Sequence, residues 1–267
     1  MTNSPTFAVI LPAAGKSSRF TGAKSEGLAA LGLATPRKKA FQELKGRPVW
    51  LRALEPFVKR DDVVQRIVAL SPEDLDWFKN KYRANLAFLD LELIEGGTER
   101  ADTVERALSR VRADVDFVAV HDAARPLVAH EWIDAIFRAA EKHGAAIPAA
   151  PISSTLKLVA PDGRIVKTVP RDGLWAAQTP QVFRRQLLLD AFAQRGDFQP
   201  TDEAQLVERL GQPVHVVECS SMNLKITSQE DFRLAQALVD HIPQPGIAKM
   251  LHPFEERSGK WGMESGE

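Results

Sequence analysis

Cysteine is almost missing from this chain. A single thiol, Cys219, among 267 residues excludes an internal disulfide and fits a reducing compartment, so a cytoplasmic protein is expected. Net charge is missing as well. The 35 basic residues balance 35 acidic ones, so no global field draws the chain to nucleic acid or to a membrane surface, although local basic clusters remain. No stretch approaches the roughly 18 consecutive apolar residues of a membrane span. The opening Met1-Thr2-Asn3-Ser4-Pro5 has no basic start followed by an apolar segment, so no secretory signal is expected. Two nucleotide fingerprints are absent too. Neither G-x-x-x-x-G-K-S/T nor G-x-G-x-x-G follows the first apolar run, and the second run closes at Ala69-Leu70-Ser71 without an acidic residue. A dinucleotide-dependent oxidoreductase is therefore a poor reading.

What the chain does have is alternation. Phe7 to Leu11 reads as a buried strand with Pro12 and Gly15 behind it. Residues 13–39, rich in Gly, Ala, Ser and Lys, read as a long loop. Pro48 to Val58 has Val49, Leu51, Leu54 and Phe57 near helical spacing. Further strands are expected at Val63 to Leu70, Leu86 to Ile94, Asp116 to Val120 and Ala145 to Ala149. Between them fall a helix opened by Pro72, one over residues 101–112 with Val104, Leu108 and Val111 on one face, and one from Glu131 to Lys142. Such a pattern predicts an α/β fold: a mostly parallel twisted sheet with helices on both faces.

The alternation breaks near residue 152. Leu156 to Val159 and Ile165 to Val169 flank Pro161-Asp162-Gly163, which predicts a β-hairpin arm over about residues 152–172. Helices are expected from Val182 to Gln194, from Asp202 to Leu210 with Thr201 as cap, and from Gln229 to Val239, with a last strand at Val214 to Glu218. The prolines, glycines and charges after Pro243 predict one domain over residues 1–242 and a loosely ordered tail over 243–267.

Ligands of open α/β sheets gather at the carboxyl ends of strands. "PAAG" follows the first strand, "EGGTER" the third and "HDAARP" the fourth, so three polar motifs fall on one sheet edge. Each has a bland alternative. Gly15 can take positive φ and turn backbone N–H groups toward an anion, with Lys16, Arg19, Lys38 and Lys39 nearby; a plain strand-to-helix turn would look the same. Asp122 and Arg125 suit hydroxyl, metal or phosphate binding, or form a structural ion pair. The glycines of "GGTER" let a flat ring lie against backbone, or belong to an ordinary loop with Arg100 solvated. Lys225 in "NLKIT" is by itself a surface lysine, and Trp175 is expected to pack at the junction of arm and sheet. His121 is read as hydrogen-bonded structure and Cys219 as a buried, unreactive thiol.

Taken in order, "PAAGKSSRF", "KAFQELKGRPV", "GGTERADTVERAL", "HDAARPLV", "STLK", "RDGLWAAQTPQVF", "TDEAQLVERLG" and "NLKITSQEDFRLA" resemble the 2-C-methyl-D-erythritol 4-phosphate cytidylyltransferase family over roughly residues 6–240. The resemblance implies a Rossmann-like nucleotidyltransferase fold and a homodimer whose β-arm reaches the partner's site. It implies transfer of CMP from CTP to methylerythritol phosphate, with Mg²⁺ or another divalent cation bridging phosphate oxygens and held mainly by CTP. An anionic phosphate needs no protein base, so catalysis would be positioning plus charge neutralisation. Carried over by position, Arg19, Lys39 and Lys225 act on the triphosphate. Ala13, Ala14 and Gly15 form the first loop, and Gly97, Thr98, Arg100 and Thr103 cradle the cytosine. Asp122, Arg125 and Thr179 hold the methylerythritol phosphate, and Thr155 and Arg171 on the arm complete the neighbouring subunit's site.

The chain departs from the family pattern in the first loop. Ser17 stands where the family has a second glycine, Lys38 where a proline usually precedes the reactive lysine, and Thr103 where a serine is usual. Lys39 is preferred over Lys38 because "KAFQELKG" keeps the family distance to Gly46-Arg47-Pro48. The insertion "TGAKSEGLAALGLATPRK", with Gly22, Gly27 and Gly32, is expected to be mobile and to close over the triphosphate. A ribitol- or pentitol-phosphate cytidylyltransferase would share this machinery, and a non-catalytic nucleotide-binding protein is the reading from another class.

Overall fold

The computed structural model describes residues 4–15, 17, 20 and 38–243. The insertion read as a lid and the tail beyond Pro243 lie outside the described residues. In chain order the elements are β1 (Phe7–Pro12), β2 (Glu43–Leu44), β3 (Arg47–Pro48), α1 (Val49–Val58), β4 (Val63–Leu70), α2 (Pro72–Lys81), α3 (Arg83–Leu89), β5 (Glu92–Glu95), α4 (Arg100–Leu108), β6 (Phe117–Val120), α5 (His130–His143) and β7 (Ala145–Pro151). There follow β8 (Leu156–Val159), β9 (Ile165–Val169), β10 (Trp175–Ala177), β11 (Gln181–Arg184), α6 (Arg185–Ala193), α7 (Glu203–Arg209), β12 (His215–Glu218) and α8 (Gln229–Leu238). Among the described residues no helix is long and apolar enough to cross a membrane.

One sheet of eight strands organises the molecule. β1 pairs in parallel with β4 on one side and β6 on the other, and β4 pairs in parallel with β5. β11 runs antiparallel between β6 and β7. Ala146 faces Val182 of β11 and His215 of β12, while Ala149 faces Ala177 of β10 and Glu218 of β12. So β10 and β11 share one edge of β7 and β12 takes the other. The α/β expectation and the arm hairpin β8–β9 both hold.

The pleat sorts the core. Phe7 through Leu11 are all completely buried, as a strand covered on both faces requires. Phe7, Val9 and Leu11 point to one side, where Trp50, Leu54 and Phe57 of α1 and Ile133 and Phe137 of α5 meet them. Ala8 and Ile10 point to the other, against Val104 and Leu108 of α4 and Leu188 and Phe192 of α6. The Phe7 and Phe137 rings stack with centroids 3.9 Å apart.

Four local expectations are corrected. Leu86 to Ile94 is not one strand: residues up to Leu89 finish α3, Asp90 turns left-handed at φ 48°, and only Glu92–Glu95 pairs with β4. A short apolar run carries no period long enough to tell helix from strand. Val182 to Arg184 is strand, not helix, because the sheet needs β11 to bridge β6 and β7. Asp202, not Thr201, caps α7, its Oδ1 accepting from Gln205 N–H at 3.1 Å. Trp175 sits on β10 and is 42% exposed rather than packed at the junction.

The loop after β5 lies against the loop after β1. A Cβ on Gly96 would sit 2.6 Å from Cβ of Ala14, and one on Gly97 would sit 2.4 Å from Cβ of Asp102 and 2.8 Å from its carbonyl carbon. Backbone cannot give way as a flexible side chain can, so both positions exclude a side chain. Gly15 has nothing within 4 Å of its would-be Cβ. Gly97→Ala is therefore expected to lower the melting temperature by roughly 4–10 °C, while Gly15→Ala leaves it within about 2 °C of wild type. Thermal denaturation followed by circular dichroism checks both.

Candidate active site

Three loops leave neighbouring strands and turn toward one cavity. Ala13 N–H bonds Ala69 O at 2.7 Å, Gly96 N–H bonds Leu70 O at 2.7 Å and His121 N–H bonds Ile10 O at 2.9 Å. These ties fix where the ends of β1, β4, β5 and β6 open. The cavity is about 610 Å³ and takes its walls from all four ends, from the segment at Lys38–Ala40 and from Lys225. A small nucleotide fits such a volume.

Asp122 is the hub. Its carboxylate is buried, and cations meet it from three segments: Lys225 Nζ at 2.9 Å, Arg100 Nη2 at 3.4 Å and Arg125 Nε at 3.5 Å. Burial alone would raise its pKa; Arg100, Lys225 and Arg125 outweigh that and hold it below the usual carboxylate range. Arg125 is itself anchored, donating to Asn223 O at 2.7 Å, and Asn223 in turn donates to Gln178 Oε1 and Thr179 O. So the loop "NLKIT" is locked to the strand end that carries Asp122.

His121 has a determined tautomer. Its Nε2 lies 3.0 Å from Arg125 O, which can only accept, so Nε2 carries the proton. Nδ1 then accepts from Thr179 Oγ1 at 3.1 Å, and that hydroxyl accepts from Asp122 N–H at 3.0 Å. Both ring nitrogens are occupied. Complete burial lowers the pKa to about 4, overriding the pull of Asp122. A neutral, fully bonded imidazole positions the loop and cannot take a proton from a substrate near neutral pH.

Arg100 is not solvated. Its guanidinium makes a two-pronged pair with Glu203, at 2.6 and 2.9 Å. Burial works against its charge, and Glu203 and Asp122 outweigh it, so its pKa lies above the ordinary value. Glu203 is 1% exposed. The sequence reading missed Glu203 as a functional support; the only hint was its place in "TDEAQLVERLG", next to the helix start capped by Asp202. α4 opens with a reciprocal capping box between Glu99 and Asp102. Thr103 spends its hydroxyl inward, accepting from Gly97 N–H and donating to Glu99 O, each at 3.0 Å. It shapes the glycine loop rather than offering that proton to a ligand.

The sequence-predicted residues separate into groups. Ala13, Ala14, Gly15, Lys39, Gly97, Thr98, Arg100, Thr103, Asp122 and Lys225 all line the cavity. Arg125 and Thr179 stand behind it, joined through Asp122 and its backbone. Thr155 and Arg171 are exposed on the arm, outside the cavity, with Arg171 bonded to Ser153 O. Arg19 and Lys16 lie outside the described residues. Among the described residues of the first loop, Ser17 is left-handed, at φ 57°, and Gly15 is not. Cys219 is buried and its thiol pushed up to about 11, as an inert thiol should be.

The arrangement suits anions. Basic groups converge from separate segments, the buried carboxylate of Asp122 is already neutralised and His121 is not available as a base. That favours reactions whose nucleophile arrives charged.

A family model described as 2-C-methyl-D-erythritol 4-phosphate cytidylyltransferase matches residues 7–241. A protein of that name from Frankia casuarinae is 43% identical over 237 residues, covering 88% of this chain and 82% of its own. One from Rhodopirellula baltica is 38% identical over 251 residues, covering 90% and 97%. A crystal structure titled with the same name, from Thermus thermophilus, aligns at TM-score 0.67 with 31% identity over 87% of this chain and 98% of that one.

The neutral histidine sets a pH dependence. The unfolded chain takes up a proton at His121 below about pH 6.5, whereas the folded chain resists until about pH 4. Stability should therefore fall as pH drops from 6.5 toward 4, by up to roughly 3 kcal/mol from this residue. His130 and His143 are also lowered by burial, so the difference between wild type and His121→Gln isolates the contribution. Urea unfolding across that range is expected to show a shallower pH dependence in His121→Gln.

Proposed function

This chain belongs to the 2-C-methyl-D-erythritol 4-phosphate cytidylyltransferase family, and on that premise we propose how its cavity divides the work. It is a cytidylyltransferase of isoprenoid biosynthesis, transferring CMP from CTP to methylerythritol phosphate. A phosphate oxygen of the acceptor bonds to the α-phosphorus of CTP as the bond to the bridging β-phosphate oxygen breaks, and pyrophosphate leaves. The nucleophile is already an anion, so the step consumes no protein base.

Backbone groups of Ala13, Ala14 and Gly15 receive the triphosphate, and Lys39 and Lys225 neutralise the charge that gathers at the α-phosphate. Arg19 belongs to the same task by its place in the loop. The backbone at Gly97 and Thr98 reads the cytosine edge, with Arg100 and Thr103 fixing that backbone from behind. Asp122 accepts hydroxyls of the acceptor, and Arg125 and Thr179 hold Asp122 in place. The observation that carries this reading is the hub at Asp122: Lys225 and Arg100 converge on one neutralised, buried carboxylate in the wall of a nucleotide-sized cavity.

A divalent cation, Mg²⁺ for preference, fits as a passenger of the triphosphate. Among the described residues no three His, Cys, Asp or Glu side chains are grouped as a metal cage, and Asp122 already faces three cations. The ion would screen the phosphate charge.

A homodimer completes the site in this reading. Thr155 and Arg171 stand away from their own cavity, and the arm exposes Leu158, Val159, Ile165 and Val166, each about half or more accessible. A second copy of the chain would cover those side chains and receive the two polar ones. One nucleotidyltransferase domain over residues 1–242 is the reading for the chain, supported by both main cores of the described residues lying against one sheet. The cytoplasm remains the expected compartment, supported by the single buried thiol.

Pyrophosphate release should require CTP, a divalent cation and methylerythritol phosphate together, with ribitol phosphate turned over at least about tenfold less efficiently. Lys39→Ala should lower kcat by about 10²–10³-fold while melting like wild type. Equal turnover of the two acceptors would contradict the acceptor assignment, and a Lys39→Ala enzyme of near wild-type kcat would remove Lys39 from the site.

A further inference from the structure

The proposed catalytic lysine directly follows a second lysine, whose side chain is held by partners of its own. Lys38 Nζ lies 2.6 Å from Ser71 Oγ, 2.7 Å from Asp74 Oδ2 and 2.9 Å from Glu73 Oε1. Ser71 Oγ also donates to Asp74 Oδ2 at 2.6 Å. The Lys38 and Asp74 side chains are mostly buried, at 16% and 18% exposed. The cluster sits on the first turn of α2, directly after β4, and Ser71 and Glu73 are part of the cavity wall. The hydrogen bond from Lys38 is the leading cause of a lowered Glu73 pKa.

The opposite side of the same segment is tied as well. Ser17 Oγ accepts from Lys39 N–H at 3.3 Å, although 22 positions separate them in sequence. Ser17 does this from the left-handed region, at φ 57°, where a β-carbon is disfavoured and glycine is the usual occupant. Beyond Lys39, Ala40 and Phe41 are buried, and the Phe41 ring meets Trp77 and Phe78 of α2 at 5.2 and 5.8 Å. Residues Lys38–Phe41 are thus held to the first loop by Ser17, to the first turn of α2 by Lys38 and to its body by Phe41.

We propose that Lys38 and Ser17 are positioning residues for Lys39, forming a clamp that fixes its backbone between the first loop and α2. The argument rests on Lys39 acting at the triphosphate. Ser17 and Lys39 stand 22 positions apart in sequence, so what holds Lys39 beside the first loop is a non-local contact. A lysine misplaced by about 1 Å still binds anions, but loses much of its effect on a developing charge.

A set of variants tests the clamp in the full-length enzyme. Lys38→Ala and Ser17→Ala should each lower kcat about 5- to 30-fold, with KM for CTP changed less than about threefold. Lys38→Arg, which can still reach the carboxylates, should recover most of the loss. Asp74→Asn should behave like Lys38→Ala, because it releases the same tie. The decisive comparison is the double-mutant cycle with Lys39→Ala. In that background, Lys38→Ala and Ser17→Ala should have little further effect on kcat.

Full additivity in the cycle would overturn the clamp, as would an Asp74→Asn enzyme at or above wild-type kcat. The latter result would mean that freed Lys38 contacts phosphate directly. Unchanged activity in Lys39→Ala itself would instead overturn the underlying reading, so the two failures are distinguishable. If Lys38→Ala does not fold, Ser17→Ala and Asp74→Asn carry the same cycle, and a change in KM without a change in kcat would count against the proposal.

Discussion

The buried carboxylate of Asp122 is the constraint from which the rest of the site follows. A lone anion at that depth would be protonated or expelled. Here it stays ionised because Arg100, Arg125 and Lys225 arrive from three separate parts of the chain. Each of those cations needs its own anchor. Arg100 takes Glu203, Arg125 takes the carbonyl of Asn223, and Asn223 takes Gln178 and Thr179. The strand β11, the loop behind β12 and the start of α4 are thereby joined at one point. Breaking one partner would leave an unmatched buried charge, so the network stands or falls together.

That network also limits the chemistry. A carboxylate neutralised by three cations is a poor base. The neighbouring imidazole is neutral, with Nε2–H given to a carbonyl and Nδ1 filled by Thr179. At the cavity wall Lys39, Lys225 and the loops after β1 and β5 would face an anion, beside the carboxylates of Glu73, Glu95 and Glu99. Such a site accelerates a reaction by holding two anions in line and by meeting the charge that builds at phosphorus. Cytidylyl transfer from CTP to a sugar-alcohol phosphate is a reaction of that kind, and its nucleophile needs no activation.

Much of this was legible from the sequence, for physical reasons that differ by element. β1 announced itself because a strand buried on both faces must be apolar throughout. The convergence of "PAAG", "EGGTER" and "HDAARP" followed from parallel topology alone. The strand β11 was illegible because Val182 and Phe183 carry no period of their own, and only the gap between β6 and β7 makes them a strand. Leu86 to Leu89 misled for the same reason. Many of the residues that line the cavity were picked out by type and place, but their partners were not. Nothing in a single sequence pairs Arg100 with Glu203, 103 positions away, or shows that Thr103 turns its hydroxyl inward. Ser17 is the instructive case. It stands where the family has a glycine, yet it takes the left-handed conformation and adds a bond to Lys39 that glycine could not supply.

The central claim is that no protein base takes part and that the cavity works by fixed charge and position. The pH dependence of kcat, at saturating CTP and methylerythritol phosphate, tests it most directly, because kcat reports groups that titrate in the bound complex. A phosphate monoester loses its second proton near about pH 6 and lysines stay charged until about pH 10. The account predicts a flat profile between about pH 7 and 9, unchanged in shape when His121 is replaced by Gln. A bell, or a rising limb within that window that disappears in the His121 variant, would contradict it.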